Sequence, residues 1–293
     1  MTFYKTHIEW TDATWSPITG CTPVDEGCRN CYAAELAASR LAHHPSRAGL
    51  ARRSRAGVAA FTGEVRFNDQ WLDQPLRWRK PRMIFVCANG DLFHENVPDE
   101  WIDKVFAVMA LSPQHTFQVL TKRPDRANTY MRHVNAHGKT RHEIVERTAT
   151  TVFAKAGEWM TESWPLSNVW LGTSVSDQAS ADERIPALLD TPAALHFVSA
   201  EPLLGPVDLG GILTSYGGLY PLTGVRSDDS GPSGFSQGPR VGWVICGGES
   251  GKNARQMHPD WARSLRDQCT DAGVPFLFKQ WGAKALNIEG DMP

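Results

Sequence analysis

The sequence predicts an α/β fold whose parallel strands curve into a partial or full (β/α) barrel, and two observations carry that prediction. Six short apolar runs rich in β-branched or aromatic residues recur along the 293 residues, and helical patterns lie between them. Near-continuous apolarity is what a strand buried on both faces requires, and strands alternating with helices place them in a parallel sheet.

The runs cover residues 83–88, 116–120, 169–175, 195–199, 241–246 and 275–279. Residues 99–111 carry Trp101, Ile102, Val105, Phe106 and Met109, a single stripe at helical spacing. Residues 259–272 set Trp261, Leu265 and Cys269 at i, i+4, i+8 and stop at Gly273, a C-terminal signal. Two segments break the rhythm. Residues 43–63, rich in Arg, Ala and Gly, read as an inserted loop or a partly mobile arm. Residues 214–239 hold six glycines and too little apolar surface for a core of their own, so they read as a long loop before the strand at 241. No internal repeat or domain boundary is evident, so the expectation is a single domain over 1–293 with these two insertions.

The composition, 41% hydrophobic and 21% charged, excludes a wholly disordered chain and a fibrous one. No apolar run approaches the length of a membrane span, and the polar, aromatic first fifteen residues do not resemble a secretory signal. A cytoplasmic protein without a membrane partner is expected. The net charge of −2 is unevenly spread. Residues 40–82 hold ten basic side chains, Arg52, Arg53, Arg55, Arg77 and Arg79 among them, against three acidic ones. Such a stretch attracts phosphates, and Trp71 and Trp78 could stack on bases; a solvated loop or helix face is the plainer alternative.

Three of the six cysteines, Cys21, Cys28 and Cys31, are spaced C-x6-C-x2-C. In a long cytosolic chain this favours metal or cluster ligation over disulfides. Three thiolates on one loop can hold three irons of a [4Fe–4S] cluster and leave the fourth open. Structural zinc usually takes four protein ligands, and His43 or His44 could supply the fourth, so spacing alone leaves both open. Three ordinary buried cysteines are the plainest reading, against which their closeness and the nearby Gly20 and Gly27 speak.

A cysteine loop near the amino terminus, followed by a helix over 32–41 and then alternating strands and helices, resembles the radical S-adenosylmethionine (SAM) superfamily. The sequence is more closely similar to a phage and bacterial family of three-cysteine-motif proteins of unestablished function. The carrying phrases are Trp15-Ser16-Pro17 with Gly20-Cys21, Gly27-Cys28 and Cys31-Tyr32-Ala33, then Asp91-Leu92-Phe93-His94-Glu95 and Leu120-Thr121-Lys122-Arg123-Pro124. Leu171-Gly172-Thr173-Ser174-Val175, Ser199-Ala200-Glu201-Pro202-Leu203-Leu204-Gly205-Pro206 and Gly247-Gly248-Glu249-Ser250 follow in order. Two departures stand out. Radical SAM enzymes usually space the ligands C-x3-C-x2-C, and their Gly-Gly-Glu segment follows the second strand, where this chain has Ala88-Asn89-Gly90-Asp91. The spore photoproduct lyase branch, with a polar run ending in Asp there, is nearer.

The resemblance implies a radical SAM enzyme: a [4Fe–4S] cluster on Cys21, Cys28 and Cys31, SAM chelating the fourth iron, and a 5′-deoxyadenosyl radical that takes hydrogen from a substrate. It implies a reductant protein as electron donor and a partner protein encoded nearby. Residues just past the carboxyl ends of parallel strands face the ligand in such folds, and Asn89, Asp91, Lys122, Ser174, Glu201 and Glu249 stand there. Asn89 or Asp91 could accept from the SAM ammonium, Lys122 could bind its carboxylate, and Ser174 its ribose or carboxylate. Glu201 and Glu249 could bind ribose hydroxyls, the amine or the substrate. Each is otherwise a capping or loop-fixing residue. Cys87 is either a small buried hydrophobe or, by the same resemblance, a hydrogen-atom donor. Asp91, His94 and Glu95 could bind a metal, but no second ligand cluster supports that. Gly247–Gly251 lacks the patterns of a phosphate loop, and no hydrolase motif appears. The basic stretch and the lyase resemblance favour a nucleic-acid base or nucleotide as substrate. The alternative is a non-catalytic nucleic-acid-binding protein with a structural cluster or zinc.

Overall fold

The computed structural model describes residue 6 and residues 8–153, 163–227 and 234–284. Seven parallel strands form one sheet: β1 (Ala13–Trp15), β2 (Met83–Val86), β3 (Thr116–Thr121), β4 (Val169–Val175), β5 (Leu195–Ala200), β6 (Val241–Gly247) and β7 (Phe276–Gln280). Their spatial order is their chain order, so the sheet curls as a half-barrel. Among the described residues β1 and β7 do not pair with each other, which selects the partial barrel over the closed one. No described helix is long and apolar enough to cross a membrane.

All six predicted apolar runs are strands, to within two residues at each end. The reason is visible in the two faces. Val119, Leu171, Val198 and Val244 point into a core shared with α2 (Asp99–Ala110), α3 (Pro124–Met131), α4 (Arg141–Phe153), α5 (Gln178–Asp190) and α6 (Pro259–Asp271). Their strand neighbours Leu120, Trp170, Phe197 and Ile245 belong to a second apolar cluster on the concave face, with Trp10 and Phe85. Burying each large side chain contributes roughly 1.5–3 kcal/mol. Cys246 and Cys269 lie in the outer core, off the cavity lining.

The concave cluster is tightly fitted at one point. A Cβ added to Gly172 on β4 would stand 2.5 Å from the ring of Phe197 on β5. Overpacking of this kind costs about 1–3 kcal/mol. Gly172→Ala is therefore expected to lower Tm by about 2–4 °C per kcal/mol; a melting curve superimposable on the wild type would mean the ring has room to move.

Three expectations need correction. β1 had no sequence signal, because three residues with Thr14 at their centre make no apolar run. Residues 43–63 are not a bare arm: Ala51–Arg53 and Ala59–Phe61 pair as an antiparallel hairpin beside α1 (Tyr32–Ala37), and Leu50 and Ala59 are buried. Residues 214–239 are not a plain loop either. Ile212–Thr214, Gly217–Tyr220, Val225–Ser227 and Phe235–Gln237 form an antiparallel meander, and residues 228–233 lie outside the described residues. Short strands with few β-branched residues and glycine-rich flanks give periodicity nothing to register.

Candidate functional site

A cavity of about 460 Å³ lies at the carboxyl ends of the strands. Its floor is the apolar concave cluster, with Trp10, Phe85 and Leu120; its rim is polar. Cys21, Cys28 and Cys31 all line it, and none is in a disulfide. Cys87, Asp91, Lys122, Ser174, Glu201 and Glu249 line the same cavity. Asn89 does not; what it contributes is its backbone carbonyl, which accepts from Gly20 N at 3.1 Å.

The cysteine loop is shaped locally first. The Asp25 carboxylate accepts from Cys28 N at 3.1 Å and caps a short 3₁₀ turn over Glu26–Cys28. Cys31 is the N-cap of α1, without a side-chain capping hydrogen bond. Gly27 lets this turn pack closely: a Cβ there would lie 2.2 Å from Ser176 Oγ and 2.8 Å from Lys122 Nζ, and both side chains would have to shift.

Cations from three distant parts of the chain then fasten this loop. Lys122 Nζ, just past β3, donates to Asp25 Oδ1 at 2.7 Å, and Arg184 of α5 pairs with Asp25 Oδ2 at 2.7 Å. Burial alone would raise the Asp25 carboxyl, but Lys122 and Arg184 outweigh it and hold it down at about 2. Arg123 donates to Thr22 O at 3.2 Å, to Cys21 Sγ at 3.6 Å, to Asp91 at 3.1 Å and to Glu95 at 2.7 Å. Arg255, beyond β6, donates to Glu26 O at 2.8 Å and to Glu249 Oε1 at 2.5 Å. Asn30 donates to the other Glu249 oxygen at 2.9 Å. Burial pushes Glu249 up, and these donors more than reverse it, so the carboxylate is ionised.

Several expected roles change in consequence. Both oxygens of Asp91 are occupied by the chain: Thr121 Oγ1 and Phe93 N donate to one, Lys122 N and Arg123 to the other. Asp91 thus fixes the strand-end loops. Glu249 likewise clamps the cysteine loop, and Lys122 is engaged with Asp25. Ser174 Oγ donates to Glu201 O at 3.0 Å, and the Glu201 carboxylate accepts from Lys279 Nζ at 2.6 Å. His94 is fully buried, accepts from Asn96 N at Nδ1 and meets Thr22 Oγ1 at Nε2, so it has no nitrogen left for a metal. His44 turns to Ser46 and Trp71. Cys87 is the one described non-glycine residue with positive φ, at 55°, the kind of sparsely populated backbone that recurs at functional sites.

The basic stretch does not form one surface. Arg47 is buried and bonded to Ser46, Arg66 holds the carbonyls of Pro45 and Ala48, and Arg53 is paired with Glu35. Arg52 and Arg55 are exposed on the hairpin whose second strand ends at Phe61, on the cavity wall. Arg77 and Arg79 precede β2 at the opposite end of the sheet, and Arg77 pairs with Asp73.

The donor set can be weighed on its own chemistry. Among the described residues no three His, Cys, Asp or Glu side chains converge on a single point as a metal site would have them. A cluster takes one thiolate on each of three irons, and three unpaired thiols on one cavity wall suit it. Burial, and secondarily Asp91, pushes the Cys21 thiol up to about 12, against the pull of Arg123; burial also raises Cys31. Any metal held by these sulfurs would have to displace their protons.

Asp25, Arg123, Arg184 and Arg255 had no role in the sequence reading. Arg123 stands in one of the motif phrases, and Asp25 stands between the first two cysteines, so position could have flagged both. Arg184 and Arg255 are distant in sequence and gave no signal. A family model described as "Protein of unknown function (DUF5131)" matches residues 5–289. No curated protein and no solved structure matches the chain.

Proposed function

Because the chain belongs to this family, whose description assigns no activity, we propose its function from the site: an iron–sulfur enzyme of radical SAM type. The observation that carries this reading is the facing of Cys21, Cys28 and Cys31 onto one cavity at the carboxyl ends of a parallel half-barrel. These three residues would hold a [4Fe–4S] cluster. When bound, cluster and SAM supply a primary carbon radical upon reduction by a low-potential one-electron donor, a chemistry that belongs to the cofactors.

The chain's own residues provide binding and shielding. Trp10, Phe85 and Leu120 make a dry floor, and Tyr32, whose hydroxyl donates to Ala88 O at 2.5 Å, ties α1 to the end of β2. Ser174, Glu201 and Lys279 form a polar wall able to hold hydroxyl, amine or carboxylate groups of SAM or substrate. Lys122 would reach a carboxylate by exchanging its partner Asp25, which keeps Arg184. Cys87, at the cavity and protonated because burial pushes its thiol up to about 12, is a candidate hydrogen-atom donor.

The test is anaerobic reconstitution with iron and sulfide, then SAM and dithionite. Release of 5′-deoxyadenosine supports the reading; a colourless chain with one zinc and no SAM cleavage rejects it in favour of a non-catalytic binding module.

A nucleic-acid base or nucleotide is the proposed substrate class, supported by exposed Arg52 and Arg55 on the hairpin beside the cavity. Arg52→Ala with Arg55→Ala is expected to reduce the slope of log affinity against log salt by about 0.7–0.9 per arginine. Arg77→Ala and Arg79→Ala, at the far end, should leave that slope in place. Equal effects from both pairs would reject the hairpin as the contact.

A further inference from the structure

We propose that Arg123 sets the reduction potential of the cluster through Cys21, an inference that rests on the cluster reading above. The three thiols are not equivalent. Cys31 stands at the N-cap of α1 and makes no side-chain capping hydrogen bond. Cys21 is approached by a side chain: Arg123 Nη1 donates to its sulfur at 3.6 Å.

That donor is held in place with unusual completeness. Arg123 Nε is fixed by Glu95 at 2.7 Å, Nη1 by Asp91 at 3.1 Å and Nη2 by Thr22 O at 3.2 Å. The side chain is 11% exposed. A planar guanidinium with its nitrogens pinned at three other points cannot turn away from the sulfur, so the N–H···S contact is preorganised. Arg123 also neutralises Asp91, whose other donors, Thr121 Oγ1 and the N–H groups of Phe93 and Lys122, carry no charge. The two bonds to the cysteine segment, at Cys21 Sγ and Thr22 O, are what a lysine in this place could not reproduce together.

Hydrogen bonds to cysteinyl sulfur are among the main levers on cluster potential. Reduction adds one electron, and the added negative charge is shared with the thiolate sulfurs. A cationic donor at Cys21 stabilises the reduced form more than the oxidised one. Arg123 thereby raises the potential and makes the cluster easier to reduce. It is a positioning and tuning residue, acting through Cys21 without touching substrate.

The experiment is a redox titration, followed by EPR, of reconstituted wild type, Arg123→Gln and Arg123→Lys at matched iron content. For Arg123→Gln the ratio of reduced to oxidised cluster at a fixed applied potential is expected to fall about tenfold, equivalent to about 59 mV for one electron. Arg123→Lys should fall between it and wild type. An Arg123→Gln protein with full iron and an unmoved midpoint overturns the proposal. Should neither variant hold iron, the wild-type chain decides: with ¹⁵N-arginine, pulsed EPR of the reduced cluster should detect an arginine nitrogen coupled to it, and absence of that coupling overturns the proposal. A wild-type chain that takes up no iron is a different result, read from metal content, and removes the cluster reading together with this one.

Discussion

Changing Cys28 to serine should empty the loop of iron while leaving the protein folded. The wild-type chain, reconstituted without oxygen, is expected to be brown and to hold about four irons. Cys28→Ser should retain less than about a tenth of that and show no SAM cleavage. The expectation follows from the donor set: three thiols share one wall, and the carboxylates of Asp91, Glu201 and Glu249 on the same cavity are engaged with Arg123, Lys279 and Arg255 respectively. The variant should fold because the turn around Cys28 is built by other groups. Asp25 caps it through the Cys28 backbone N–H, and Arg255 holds Glu26 O. Iron content by colorimetry, beside a melting curve, separates the two properties. Undiminished iron in Cys28→Ser would remove this cysteine from the ligand set and with it the reading of the loop.

The second large effect concerns stability. Asp25→Ala should lower Tm by about 10 °C at neutral pH, because it leaves Lys122 and Arg184, 15% and 4% exposed, without their shared carboxylate. Removing one member of such a buried set costs about 3–5 kcal/mol, and each kcal/mol is worth about 2–4 °C in a chain of this size. The sign of the pH dependence follows from the folded carboxyl lying at about 2, below its ordinary 3.8. The ionised form is favoured by folding, so its contribution of ~2 kcal/mol is fully present above about pH 4 and is lost as pH falls through about 2. The gap between wild type and Asp25→Ala should therefore be widest at neutral pH and narrow toward pH 2. Equal melting temperatures at pH 7 would show that both cations find water or other acceptors.

The strands of the half-barrel were legible because burial on both faces writes itself as a continuous apolar run, as in β4, where Leu171 faces the helices and Trp170 the concave cluster. The cavity residues were largely legible too, since the ends of parallel strands can be located once the strands are. Cys87, Asp91, Lys122, Ser174, Glu201 and Glu249 all reached the wall. What those residues do there was less legible. Whether Asp91 greets a ligand or anchors a loop depends on where Thr121, Phe93 and Arg123 point, and no spacing rule states that. Arg184 lies on α5 among residues with no special pattern, and only the packing of α5 under β4 brings it to Asp25. Basic clustering misled in the other direction: proximity in sequence between Arg55 and Arg77 became separation to opposite ends of the sheet.

The staples on the cysteine loop span long stretches of chain. Asn30 meets Glu249 across 219 positions, and Arg255 meets Glu26 across 229. A ribosome making this protein has released the thiols long before it has made their last clasp. The loop consequently gains its full set of clasps only after Arg255 has been made, and until then the nascent chain carries its three thiols without them.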